Sequence, residues 1–118
     1  MNVLEVDVKE YKSALRPTII YNTADFNELN SYKVDRVRYF IFADTRKRFA
    51  LCVGQRADKF LAPFSAPFAS FSPLRKNWTV LQLEESVKCF DALAEREGIH
   101  SIIITPQAFM MSRFLRLC

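Results

Sequence analysis

The chain has 118 residues, half of them apolar, with 17 basic and 13 acidic side chains and a formal net charge of +4. That length fits one small domain whose core needs neither disulfide nor metal. Two Gly exclude the glycine-rich phosphate loops of P-loop ATPases and dinucleotide-binding folds, and a single His excludes histidine-clustered metal sites.

Near the N-terminus, Asp7, Lys9, Glu10 and Lys12 interrupt any apolar run. No secretory leader is expected, and no uncharged apolar stretch approaches the ~20 residues needed to cross a bilayer. The expectation is a cytoplasmic protein without membrane attachment. Cys52, Cys89 and Cys118 are odd in number, widely spaced and lack a C-x-x-C pair, as buried or incidental thiols in a reducing compartment would be.

In chain order, residues 3–8 alternate Val3, Glu5 and Asp7 with Leu4, Val6 and Val8, the period of a half-buried strand. Residues 9–15 form a short helical turn that stops ahead of Pro17, because the residue before Pro is pushed out of the helical region. Asn22 or Thr23 caps a second helix, with Asp25 in its first turn and Phe26 and Leu29 on one face. Residues 37–43 and 49–54 are β-rich runs separated by the polar connection 44–48. Phe40 and Phe42 alternate with Tyr39 and Ile41, so this strand is apolar on both sides and should be covered on both. Residues 55–58 turn the chain into a third strand, 59–62, which ends at Pro63.

Residues 81–97 place Leu83, Val87, Phe90 and Ala94, with Leu93 beside them, at helical spacing. Glu84 and Lys88 pair four apart, and Gly98 supplies the left-handed residue that ends the helix. Residues 99–105 follow as an Ile-rich buried strand reached by a helical crossover. Pro106 and Gln107 open a last helix with Phe109 or Met110, Arg113 or Phe114, and Leu117 in register. The order predicts an α/β (α+β) fold: a mixed sheet in which an antiparallel meander precedes a helix and a parallel strand, with helices on both faces.

Charge is unevenly placed. Residues 33–76 carry ten basic and three acidic side chains, a local +7 that leaves −3 for the remainder. Such a middle can meet an anionic partner, a nucleotide-bearing cofactor or RNA, or it can be a set of solvated turn residues, since Arg46, Lys47, Arg48 and Arg56 fall at expected turns. Residues 62–73 read A-P-F-S-A-P-F-A-S-F-S-P, uncharged and with three Pro. One reading is a loop pinned to the core by Phe64, Phe68 and Phe71. The other is an apolar pocket wall where Ser65 and Ser70 offer hydroxyls, with Arg75 and Lys76 just beyond.

The stretch P-F-S-A-P-F-A-S-F at residues 63–71, together with Y-N-T-A-D-F-N-E-L-N at 21–30 and the meander, resembles the N-terminal half of bacterial GNAT-like acyltransferases related to the Fem-type peptidoglycan-bridge aminoacyltransferases. The resemblance covers nearly the whole chain. It implies a partial GNAT-like domain over residues 1–118 that lacks the C-terminal strands of the full fold, and transfer of an acyl or aminoacyl group to an amine. It also implies acetyl-CoA or charged tRNA as donor, an amine-bearing or peptide-like acceptor near Phe64, Ser65, Phe68, Ser70 and Phe71, and a unit catalytically incomplete by itself. One departure stands out: residues 63–81 contain no Gly, whereas acetyl-CoA enzymes of this type cradle pyrophosphate in a glycine-rich loop. An apolar last helix with no following layer favours a homodimer.

No Ser/His/Asp set exists, because His100 is the only imidazole and begins a buried strand. Glu84 and Glu85 suit a helix start, Trp78 suits a core lid, and Tyr21, Tyr32 and Tyr39 are undifferentiated hydroxyls. The leading expectation is therefore the transferase half. A noncatalytic binding module that kept the fold is the alternative, and an RNA binder comes third.

Overall fold

The computed structural model of the chain describes residues 1–16, 23–62 and 71–104. It is an α+β fold on one mixed sheet. Strand β1 (Asn2–Val6) opens the chain and ends where Asp7 caps α1 (Val8–Ala14), its carboxylate accepting from Glu10 N–H at 2.8 Å. The helix closes before Pro17, with Leu15 N–H donating to the Tyr11 carbonyl. Helix α2 (Ala24–Leu29) is capped by the Thr23 hydroxyl, one of the two residues expected. It buries Ala24 and Asn27, while Leu29 is 76% exposed, so the face expected from Phe26 and Leu29 is turned. Asn27 Nδ2 donates to the Thr23 carbonyl at 2.7 Å, which lets a polar side chain occupy the inner face.

A 3-10 turn at Ser31–Lys33 leads to β2 (Arg36–Ala43), which pairs antiparallel with β3 (Lys47–Arg56). The hairpin connection is three residues, Asp44, Thr45 and Arg46, shorter than expected because Lys47 and Arg48 join the strand across a bulge at Phe42/Ala43. A second tight turn carries Ala57 at φ +53°, and β4 (Lys59–Ala62) follows at the expected residues. Strand β5 (Ser72–Pro73), not expected, pairs with Phe49 and Ala50 on the same side of β3 as β4.

Helix α3 (Val80–Arg96) begins with a reciprocal capping box between Thr79 and Gln82. It ends at Gly98, whose φ of +73° is the left-handed conformation Gly adopts without steric cost. The Glu84–Lys88 pair forms at 3.2 Å. The helix returns the chain to β6 (Ser101–Ile104), parallel to β4, giving the order β1-β2-β3-β4-β6.

The sheet has two unequal layers. On one face α3 packs Leu83, Phe90, Leu93 and Ala94 against Phe40, Phe42, Phe49, Leu51, Val53, Phe60 and Phe71. Phe90 is the hub, with its ring 5.2 Å from Phe60 and 5.5 Å from Phe40. On the other face Tyr39, Ile41, Ala50 and Cys52 meet Tyr11, Ala24 and Leu74. Strands β2 and β3 are thus covered on both sides, as the unbroken apolar run of β2 required. Strand β6 departs from the expected full burial: Ile103 is 53% exposed, since α3 covers only one face and no described residue pairs along its outer edge. No helix among the described residues is long and apolar enough to cross a membrane. The last expected helix, at 106–117, lies outside the described residues.

Candidate functional site

Of the seven residues expected at the ligand site, Phe64, Ser65, Phe68 and Ser70 lie outside the described residues. Phe71 is buried, its ring 5.2 Å from Phe42 and 6.3 Å from Phe90, and it belongs to the core. Arg75 and Lys76 are exposed and line a cleft of about 420 Å³.

Three chain segments build this cleft. Arg16 comes from the end of α1, Arg46 and Arg48 from the β2–β3 hairpin, and Leu74 to Asn77 from the connection between β5 and α3. The scaffold holds the last two together: Ser72 and Pro73 pair with Ala50 and Phe49, and Leu74 N–H donates to the Arg48 carbonyl at 2.9 Å. Leu74, buried, forms the floor, and beyond Asn77 the Trp78 ring packs edge-on against Phe49 at 5.9 Å. The described lining has five cations and no carboxylate. Arg48 alone is neutralised: its Nε donates to Asp44 at 2.8 Å, and Asp44 also accepts from Arg46 N–H at 3.0 Å. These two donors hold the Asp44 carboxyl below its ordinary range, with the backbone bond the larger cause. Arg16, Arg46, Arg75 and Lys76 pair with no carboxylate among the described residues.

Their position follows from topology. Strand β4 runs antiparallel to β3 and parallel to β6, so the carboxyl ends of the parallel pair point to the same end of the sheet as the β2–β3 hairpin. Sequence reasoning placed Arg75 and Lys76 at a ligand site, and counted Arg46 and Arg48 in a basic middle that either meets an anion or forms solvated turns; Arg16 stood only as the residue that stops the first helix before Pro17. The available signal was the basic run Arg46-Lys47-Arg48 and the doublet Arg75-Lys76, both at connections between elements, which the sheet register brings together.

A second charged cluster lies at the other end of β2. Arg38 is only 4% exposed and sits between the acids of two elements. Its Nε and Nη2 donate to Glu5 at 2.9 and 2.6 Å, its Nη1 and Nη2 to Glu97 at 2.7 and 2.9 Å, and its Nη1 to Gln55 at 3.1 Å. All five guanidinium donors are therefore used. The guanidinium carbon lies 5.2 Å from the Phe40 ring centroid and 5.4 Å from that of Phe60. Hydrogen bonds from Arg38 hold the Glu97 carboxyl below its ordinary range. Glu97 is the C-cap of α3, where the helix dipole disfavours an anion, and Arg38 supplies the compensating charge. This cluster joins β1, β2, β3 and α3, and its guanidinium has no donor left over for a ligand.

The remaining polar candidates are dispersed. Tyr39 is buried and donates to Glu28 Oε1; burial first, then that hydrogen bond, raises its hydroxyl pKa and makes it a poor proton donor at neutral pH. Tyr32 is exposed with the Lys33 ammonium 5.6 Å from its ring, and Tyr21 lies outside the described residues. His100, expected at the start of a buried strand, is 80% exposed and sits 2.7 Å from Asp58 Oδ2, because it precedes the edge strand β6. Burial pushes the Cys52 thiol well up, Cys89 donates to the Met1 carbonyl, and Cys118 lies outside the described residues. No group of three or more metal-binding side chains occurs among the described residues. Comparison with protein-family models, curated proteins and solved structures found no match.

Proposed function

We propose that this chain is a GNAT-like acyltransferase or aminoacyltransferase unit that supplies the sheet and a ligand-binding wall, and that a second copy completes the catalytic fold. The observation that carries this reading is the strand arrangement: an antiparallel β1-β2-β3-β4 meander joined through α3 to the parallel strand β6. Open sheets with parallel strands take ligands beyond the strands' carboxyl ends, and here that end also holds the connection from β5 to α3. The donor is acetyl-CoA or a charged tRNA, the acceptor an amine-bearing or peptide-like molecule, and the compartment the cytoplasm.

The test is transfer by the purified chain from acetyl-CoA, or from charged tRNA, to a panel of amines, with solution mass measured under reducing conditions. Transfer by a dimer, with thermal stabilisation that rises with CoA concentration, is the expected result. A monomer that neither transfers nor responds to CoA ends this reading.

A second reading is a noncatalytic binding module that kept the fold. It is favoured by the cleft, whose described lining holds cations for binding and no carboxylate or imidazole to move a proton. Ligand binding without turnover, whatever donor is supplied, selects this alternative.

A further inference from the structure

We infer that the cleft formed by Arg16, Arg46, Arg48, Arg75 and Lys76 is a binding site for a small ligand carrying two neighbouring phosphate groups. The inference does not depend on acyl transfer and stands on the cleft alone. Like charges gathered at one place repel and cost stability, so an arrangement that brings several together with a carboxylate for only one of them is one that a bound anion completes. Arg48 is satisfied by Asp44, which leaves four cations among the described residues with no ionic partner. A single carboxylate would engage one of them. A phosphate monoester carries about −1.5 to −2 near neutral pH, so two phosphates match the four cations in charge.

Geometry supports the same class. The cations come from three segments around a space of about 420 Å³, within the range of small-molecule sites, so they converge on a compact group. Arginine side chains offer forked donors suited to phosphate oxygens. They would act here as side-chain ligands, in a chain whose residues 63–81 contain no Gly for a backbone cradle. A single-stranded nucleic acid is the less suitable occupant, because base recognition uses stacking platforms and the described lining contains no aromatic ring. Two of the three walls are also held in place before binding: β5 pairs with β3, and Leu74 N–H bonds to the Arg48 carbonyl at 2.9 Å. Little backbone ordering of these two walls remains to oppose association.

The test is calorimetric and thermal-shift titration of the whole chain with inorganic pyrophosphate, beside inorganic phosphate, sulfate and a uridine oligonucleotide. Pyrophosphate should bind more tightly than phosphate or sulfate, and raise Tm by on the order of 10 °C at a concentration about one hundred times its Kd. The double variant Arg75→Ala/Lys76→Ala should weaken pyrophosphate at least about tenfold while its unliganded Tm stays the same or rises, since a repulsive contact is removed. Arg46→Gln, in the hairpin turn, should weaken it in the same sense and serves if the double variant does not fold. Lys88→Ala, a surface cation on α3, should change nothing. No pyrophosphate response up to roughly 10 mM overturns the proposal. So does an unaltered affinity in the cleft variants, or an oligonucleotide that binds more tightly than pyrophosphate with a steep salt dependence. Because the probe carries no acyl group, loss of transferase activity and loss of this site are read separately.

Discussion

Arg38 and Arg75 lie at opposite ends of the same sheet and meet opposite fates. Arg38, roughly 17 Å along β2 from the hairpin end, has an acceptor for each of its five donors and aromatic rings flanking it. Arg75 is exposed, in a cleft where four cations have no acid among the described residues. Burying a guanidinium is tolerable only when its charge and donors are both compensated, so the first end spends every donor of its buried cation on the fold. The second leaves its capacity open. Charge alone therefore does not mark a binding surface; the unspent part of it does.

The sharpest way to break the contrast is at Arg38. Arg38→Ala should cost about 2–4 kcal/mol, less than for a fully buried triad because Glu5 and Glu97 are more than one third exposed and can rehydrate. Arg38→Met should cost less than Arg38→Ala, since its chain still packs on Phe40 and Phe60. Urea unfolding at neutral pH measures both, and a loss below about 0.5 kcal/mol for the Ala variant would make the cluster ornamental.

Acid sharpens the same end. The Glu97 carboxyl is depressed by its hydrogen bonds to Arg38, so its folded pKa lies below the unfolded value of about 4.3. Its stabilisation is complete above the unfolded pKa and is lost as pH falls through the folded one. The acid limb of the stability curve should flatten in Arg38→Met; an unchanged limb would show that other carboxylates set it.

Smaller effects distinguish the turns. Ala57, in the turn beside Gln55, sits at φ +53°, where a Cβ is unfavourable, and Ala57→Gly should raise stability by about 0.5–1 kcal/mol. At the cleft end the buried Ser72 hydroxyl has no hydrogen-bond partner among the described residues. Ser72→Ala should therefore be neutral within about 0.5 kcal/mol or slightly stabilising, and a clear loss would reveal a partner.

Much of the fold could be read from the sequence wherever one period ruled. The 3.6-residue spacing of Leu83, Phe90 and Ala94 placed α3, and the unbroken apolar run of β2 required two cover layers. Reading failed where tertiary context chose the face. Leu29 yielded the inner side of α2 to Asn27, which found a carbonyl, and Ile103 stayed exposed because β6 is covered on one side. Strand β5 is two residues long, with a Pro, and has no periodicity to read. The cleft was half legible: Arg75 and Lys76 are adjacent, but Arg46 joins them only through the register of β2, β3 and β5, and Arg16 only through the packing of α1 on the sheet, neither of which local sequence encodes.

The two cover layers also differ in how long each should survive a fluctuation. Helix α3 has seventeen residues, whereas α1 and α2 have seven and six, too short to persist once lifted from the sheet. Amide protons of α1 and α2 should exchange with solvent through partial opening, long before those of β2 and β3, which exchange only when the whole chain unfolds. Arg16 follows α1 directly, so each such opening withdraws one wall of the cleft. An anion that holds Arg16 in place should slow exchange in α1 selectively, turning the weakest layer of the molecule into a reporter of occupancy.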